Sequence, residues 1–80
     1  MAKISNAEIK HMAMAYAIQM WHKRKALGIE DPVPVYVAHI RARFPTPLWR
    51  KRIQSNFQDL ASSHPHFNIV EGVLLYYPQQ

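Results

Sequence analysis

The chain has 80 residues, no cysteine, and ten Lys plus Arg against five Asp plus Glu, a formal net charge of +5. That length fits one domain burying roughly 60% of its unfolded surface, which excludes a large enzyme with a deep cleft. At 49% apolar and 19% charged residues it is expected to fold, and without cysteine there is no disulfide framework, thiolate zinc site or Cys nucleophile.

An intracellular setting, cytoplasmic or nuclear, is therefore expected. The longest apolar stretch, Met12 to Trp21 with Gln19 inside it, is about half of the roughly 20 residues a bilayer span needs. Glu8 and His11 near the start do not resemble a cleavable signal.

The charge is unevenly placed. Residues 1–52 hold all ten cations and the acids Glu8, Glu30 and Asp31, for +7; residues 53–80 hold only Asp59 and Glu71, for −2. Two clusters stand out, His22-Lys23-Arg24-Lys25 and Arg50-Lys51-Arg52, with Arg41 and Arg43 between them. Several cations in one place suit phosphates, because each neutralised phosphate releases counterions; the alternative is a set of solvated helix faces.

In chain order, Ser5-Asn6-Ala7-Glu8 fits a capping box, and Gly28 after Lys23, Arg24 and Lys25 is a helix stop with cations suited to the C-terminus. The first helix is expected over about residues 6–27. At about 100° per residue, Ile9, Met12, Ala13, Tyr16, Met20 and Leu27 form the core stripe. Met14, Ala17, Ile18 and Trp21 form a second stripe, covered by the rest of the chain or by another subunit or protein.

Asp31-Pro32 offers an N-cap and a proline at the first helical position. Val33, Val37, Ile40 and Phe44 recur at helical spacing, predicting a second helix over about residues 33–44. Pro34 is tolerated only in a first turn, so Glu30 to Val35 is alternatively extended. Pro45 ends the helix, and Thr46-Pro47 starts a third, over about residues 47–62, with Trp49, Ile53, Phe57 and Leu60 on its inner face. So short a link between the second and third helices implies a steep turn.

Phe67 to Val70, Glu71-Gly72 and Val73 to Tyr77 read as a hairpin over about residues 67–77. Its register sets Val70 opposite Val73, Ile69 opposite Leu74 and Phe67 opposite Tyr76. Phe67, Ile69, Leu74 and Tyr76 face the helices, and Val70, Val73, Leu75 and Tyr77 face away. The expected class is mainly α with a C-terminal β-hairpin (α+β).

Helix, helix, turn, helix and hairpin in about 75 residues resembles the winged helix-turn-helix domain in element order and spacing, with no signature motif. The resemblance implies a third helix in the major groove of double-stranded DNA and a small, regulatory DNA-binding protein. Opposite the inner face of that helix lie Lys51, Ser55 and Gln58, edged by Gln54 and Arg52. Lys and Arg suit guanine, Gln suits adenine and Ser is permissive. Arg50, Thr46, Arg41 and Arg43 suit phosphates. A homodimer on paired half-sites would use the Met14, Ala17, Ile18, Trp21 stripe. The hairpin departs from the family pattern, because its tip is Glu71-Gly72 and it has no cation.

The other reading is a protein-interaction module, an adaptor or inhibitor docking through Met14, Ile18, Trp21, Val70, Val73, Leu75 and Tyr77, since fold alone does not set function. An enzyme is not expected: there is no P-loop, nucleophile elbow or close carboxylate pair. His11 and His22 are about 16 Å apart along a helix, and His64 and His66 lack a third ligand, so no metal or cofactor is expected. The aromatic residues could stack single-stranded bases, but most, Trp49 included, sit at core spacing.

Overall fold

The computed structural model describes residues 4–44 and 49–78. It is a mixed α+β chain of three helices and a three-stranded antiparallel sheet. In order, the elements are α1 (Asn6–Ala26), β1 (Val33–Val35), α2 (Val37–Arg41), α3 (Arg50–Ser63), β2 (Phe67–Val70) and β3 (Val73–Tyr76).

Both ends of α1 are built as its sequence dictates. The Glu8 N–H donates to Ser5 Oγ at 3.1 Å, and the Ser5 N–H donates to the Glu8 carboxylate at 3.4 Å. At the other end Gly28 takes φ +80°, its N–H reaches Lys25 O, and the Ile29 N–H reaches Arg24 O, both at 2.9 Å. These two bonds form a Schellman closure, which needs a left-handed residue at the glycine. Leu27 is the C-cap. It lies past the last helical turn and is 76% exposed, so it leaves the core stripe expected of it.

The largest departure from the sequence reading lies between α1 and α2. The helix expected over residues 33–44 is only five residues long, and Val33–Val35 is a strand. Pro34 explains the change. It lacks a ladder donor, and β1 is an edge strand, where that lack is tolerated. Val33 and Val35 alternate inward around it, both buried. The sheet order is β1-β3-β2, so the hairpin is extended by a third strand on the free side of β3. Val33 pairs with Tyr76, Pro34 with Leu75 and Val35 with Leu74.

The hairpin register is the expected one: Phe67 opposite Tyr76, Ile69 opposite Leu74 and Val70 opposite Val73. Glu71 and Gly72 have φ +52° and +80°, the doubly positive pair of a two-residue turn matched to strand twist. Phe67 and Leu74 are buried, and Ile69 and Tyr76 pack against the core.

Ile9, Ala13 and Ala17 of α1, Ile40 of α2, Ile53, Phe57 and Leu60 of α3, and Val35, Phe67 and Leu74 of the sheet make one core. A fully buried Ile or Leu contributes about 1.5–3 kcal/mol. Ala17, assigned by periodicity to the second stripe, is fully buried, and Met14 packs on the core edge. That stripe is thereby reduced to Ile18, which is exposed, and Trp21, which is half-buried.

α2 closes at Arg41, short of the expected residue 44, and α3 is described over Arg50–Ser63. Ala42, Arg43 and Phe44 continue in tight turns with N–H bonds to Ala38, Ile40 and Arg41. The start signal at Thr46-Pro47 lies outside the described residues. Trp49 is the N-cap of α3, extended at φ −68° and ψ 132°. Its side chain therefore does not follow the helical projection that placed it inward, and it is 83% exposed.

Candidate nucleic-acid interface

Two neighbours divide the surface of α3. On one edge lies α1: Arg52 Nε donates to Asn6 Oδ1 at 3.2 Å, and Arg52 Nη2 donates to the Ile4 carbonyl. Asn56, only 2% exposed, donates from Nδ2 to Asn6 Oδ1 at 3.2 Å and to Arg52 O at 2.9 Å. Lys10 and Asp59 pair at 3.3 Å on the same side. Among the described residues Asn56 Oδ1 is buried without a partner.

On the other edge lies the hairpin. Between them runs an open groove of about 580 Å³, lined by Tyr36, Val37 and Ala38 near the start of α2, by Arg50, Gln54 and Gln58 of α3, and by Gly72 and Val73 of the hairpin.

Between these edges Arg50, Lys51, Gln54, Ser55 and Gln58 are all exposed. At 3.6 residues per turn their Cα positions fall within an arc of about 140°, and Ile53, Asn56, Phe57 and Leu60 occupy the opposite side. The structure thus brings together five of the residues nominated from sequence. Arg52, also nominated, is turned to α1 and is only partly exposed. Its place in the projection could not reveal this, because its partners Ile4 and Asn6 are 48 and 46 residues away. Thr46 lies outside the described residues.

Cations crowd the wrong end of this helix. Arg50, Lys51 and Arg52 occupy the first turn of α3, which has no acidic residue. The helix dipole favours anions there and disfavours cations by about 0.3–1 kcal/mol each. Three cations together with the positive end of the helix dipole make a strongly electropositive end.

Arg41 and Arg43 are exposed at the end of α2 and just beyond it. The Arg43 guanidinium lies 5.5 Å from the Tyr16 ring. Tyr16 stacks on His39 at 4.6 Å, and His39 Nδ1 accepts the Tyr36 N–H at 3.4 Å, holding the start of α2. At the far end of α1, Lys25 Nζ sits 4.7 Å over Trp21, and Arg24 Nη1 donates to Pro32 O at 3.2 Å. This second cluster is tied to local structure.

The outer hairpin residues are divided. Val70 is exposed, whereas Val73, Leu75 and Tyr77 are half-buried. Leu75 is flanked across the sheet by Pro34 and Asn68. The Tyr77 backbone is clasped to His66, its N–H on His66 O at 2.7 Å and its carbonyl 2.9 Å from His66 Nδ1. His64 and His66 form a loop pair with ring centres 5.7 Å apart, His64 Nδ1 accepting the His66 N–H. Among the described residues no three His, Cys, Asp or Glu side chains group to hold a metal ion, and no helix is long and apolar enough to cross a membrane.

No family model matches the chain, and no curated protein sequence or solved structure does either.

Proposed function

We propose that this chain is a small, non-enzymatic DNA-binding protein that lays the open face of α3 in the major groove. The observation that carries the reading is the shared exposure of Arg50, Lys51, Gln54, Ser55 and Gln58 on one side of a helix whose first turn holds three cations and no acid. Those side chains match the donors and acceptors of base edges and phosphates, and a groove about 12 Å wide admits a helix about 10–12 Å across.

The element order α1, β1, α2, α3, β2, β3 supports a winged helix-turn-helix arrangement in which α3 is the reading helix and β2–β3 the wing. With Glu71-Gly72 at its tip, the wing grips no phosphate. Arg41 and Arg43 add backbone contacts, and Arg52 instead anchors α3 to α1. Regulation of transcription by two copies on paired half-sites fits so small a module, with Ile18 and Trp21 as the contact between copies.

A second reading is a protein-interaction module. It draws on the exposure of Ile18, Leu27 and Val70, which are scattered over different elements, and so it has less behind it than the α3 face.

Titration of 15N-labelled protein with duplex DNA tests the first reading. Amide shifts should gather on residues 50–58 and on Arg41 and Arg43. Shifts confined to β3 and the middle of α1, or none at low salt, would contradict it.

A further inference from the structure

Of the two tryptophans in the chain, Trp21 packs under Lys25 and against His22. Trp49 is 83% exposed. It fills no core site, although its spacing with Ile53, Phe57 and Leu60 leads to the opposite expectation. It holds the N-cap position of α3, yet its side chain makes no capping bond there, and that position favours Ser, Thr, Asp or Asn. Its backbone is nonetheless fixed, since its carbonyl accepts the N–H groups of Arg52 at 3.0 Å and Ile53 at 3.3 Å. An exposed indole on a fixed backbone therefore stands next in the chain to two exposed cations, Arg50 and Lys51.

We propose that Trp49 stacks on an unpaired base, so that the preferred ligand is DNA carrying a single-stranded overhang beside a duplex. The inference rests on the DNA-binding reading and narrows its substrate class. An indole needs a flat π partner, and every nucleobase offers one. Bases inside a duplex have their faces covered by neighbours and show only edges in the grooves. Away from the terminal pair, an unpaired base is what offers Trp49 a free face, and it offers one without the constraint of a paired partner. The phosphates flanking that base meet Arg50 and Lys51, the pairing of aromatic ring and cation that holds single strands without sequence preference. The duplex beside it is left to the rest of the α3 face.

Trp21→Phe leaves Trp49 as the sole tryptophan, and its emission is followed while the protein is titrated with a blunt duplex and with the same duplex bearing a short 3′ or 5′ overhang. The overhang should quench Trp49 and bind about 5- to 100-fold more tightly than the blunt duplex. Trp49→Ala should abolish that preference while keeping blunt-duplex affinity, and Trp49→Phe should retain most of it; circular dichroism checks that both fold. Equal affinity for the two ligands, or a preference that survives Trp49→Ala, overturns the proposal. If either occurs while blunt-duplex binding still depends on Arg50 and Lys51, stacking fails and the major-groove reading stands. If neither ligand binds, both fall. Emission that ignores both DNAs but shifts with protein concentration assigns Trp49 to a contact between copies, and also overturns stacking.

Discussion

Arg52 and Asn6 join two helices that meet across 46 residues of chain: the Arg52 Nε–H donates to Asn6 Oδ1 at 3.2 Å, and the same oxygen accepts from buried Asn56. One acceptor in the first turn of α1 thus takes two donors from α3. It also takes one of three consecutive cations out of the open face. The roles of Arg50, Lys51 and Arg52 are therefore separable by experiment.

Arg52→Ala should destabilise the fold by about 1–2 kcal/mol, the worth of a partly exposed pair of charge-assisted hydrogen bonds. Arg50→Ala and Lys51→Ala should each stay within about 0.5 kcal/mol, as exposed positions do. Urea unfolding of the three variants measures the contrast, and equal effects would contradict the assignment of Arg52 to the α1 edge.

Asn6→Ala and Arg52→Ala should not be additive. Because each removes the same bond, a double-mutant cycle should give a coupling of about 0.5–1 kcal/mol. Additivity within error would mean that the bond contributes nothing in solution.

Glu71 has φ +52° in the hairpin turn, a conformation that costs a side-chain-bearing residue about 1 kcal/mol or more. Glu71→Asn or Glu71→Gly should raise stability by about 0.5–1 kcal/mol. Gly72→Ala should lower it by a similar amount through φ alone, because no atom lies within 4 Å of an added Cβ. Denaturant midpoints decide both signs.

Ile53 and Leu27 carry opposite expectations despite both being apolar. Ile53 is fully buried, so Ile53→Ala should cost about 2–5 kcal/mol. Leu27 stands in water past the end of α1, and Leu27→Ser should change stability by less than about 0.5 kcal/mol. Thermal unfolding separates the two.

These contrasts also mark what the sequence could reveal. Features set by neighbours in the chain were legible: the Ser5–Glu8 box, the glycine closure at Gly28, the Glu71-Gly72 turn and the strand register it imposes. Leu27 and Trp49 misled because the periodic pattern was carried one residue past a helix end, where the backbone leaves the helical path. The sequence marks Val33–Val35 as no more than an alternative extended segment, since three residues are too few to show a period and the partner β3 lies some 40 residues on. Of the α3 face, the exposed arc followed from helical spacing, whereas the loss of Arg52 to α1 depended on a distant contact.

The most direct measurement is the salt dependence of duplex binding by the wild type and by the Arg50→Ala, Lys51→Ala double variant. On log–log axes of affinity against salt, each lost phosphate contact reduces the slope by about 0.9. The account predicts weaker binding at low salt and a slope shallower by about 1–2 in the double variant, with the fold intact. Unchanged affinity and unchanged slope would contradict an interface built on α3.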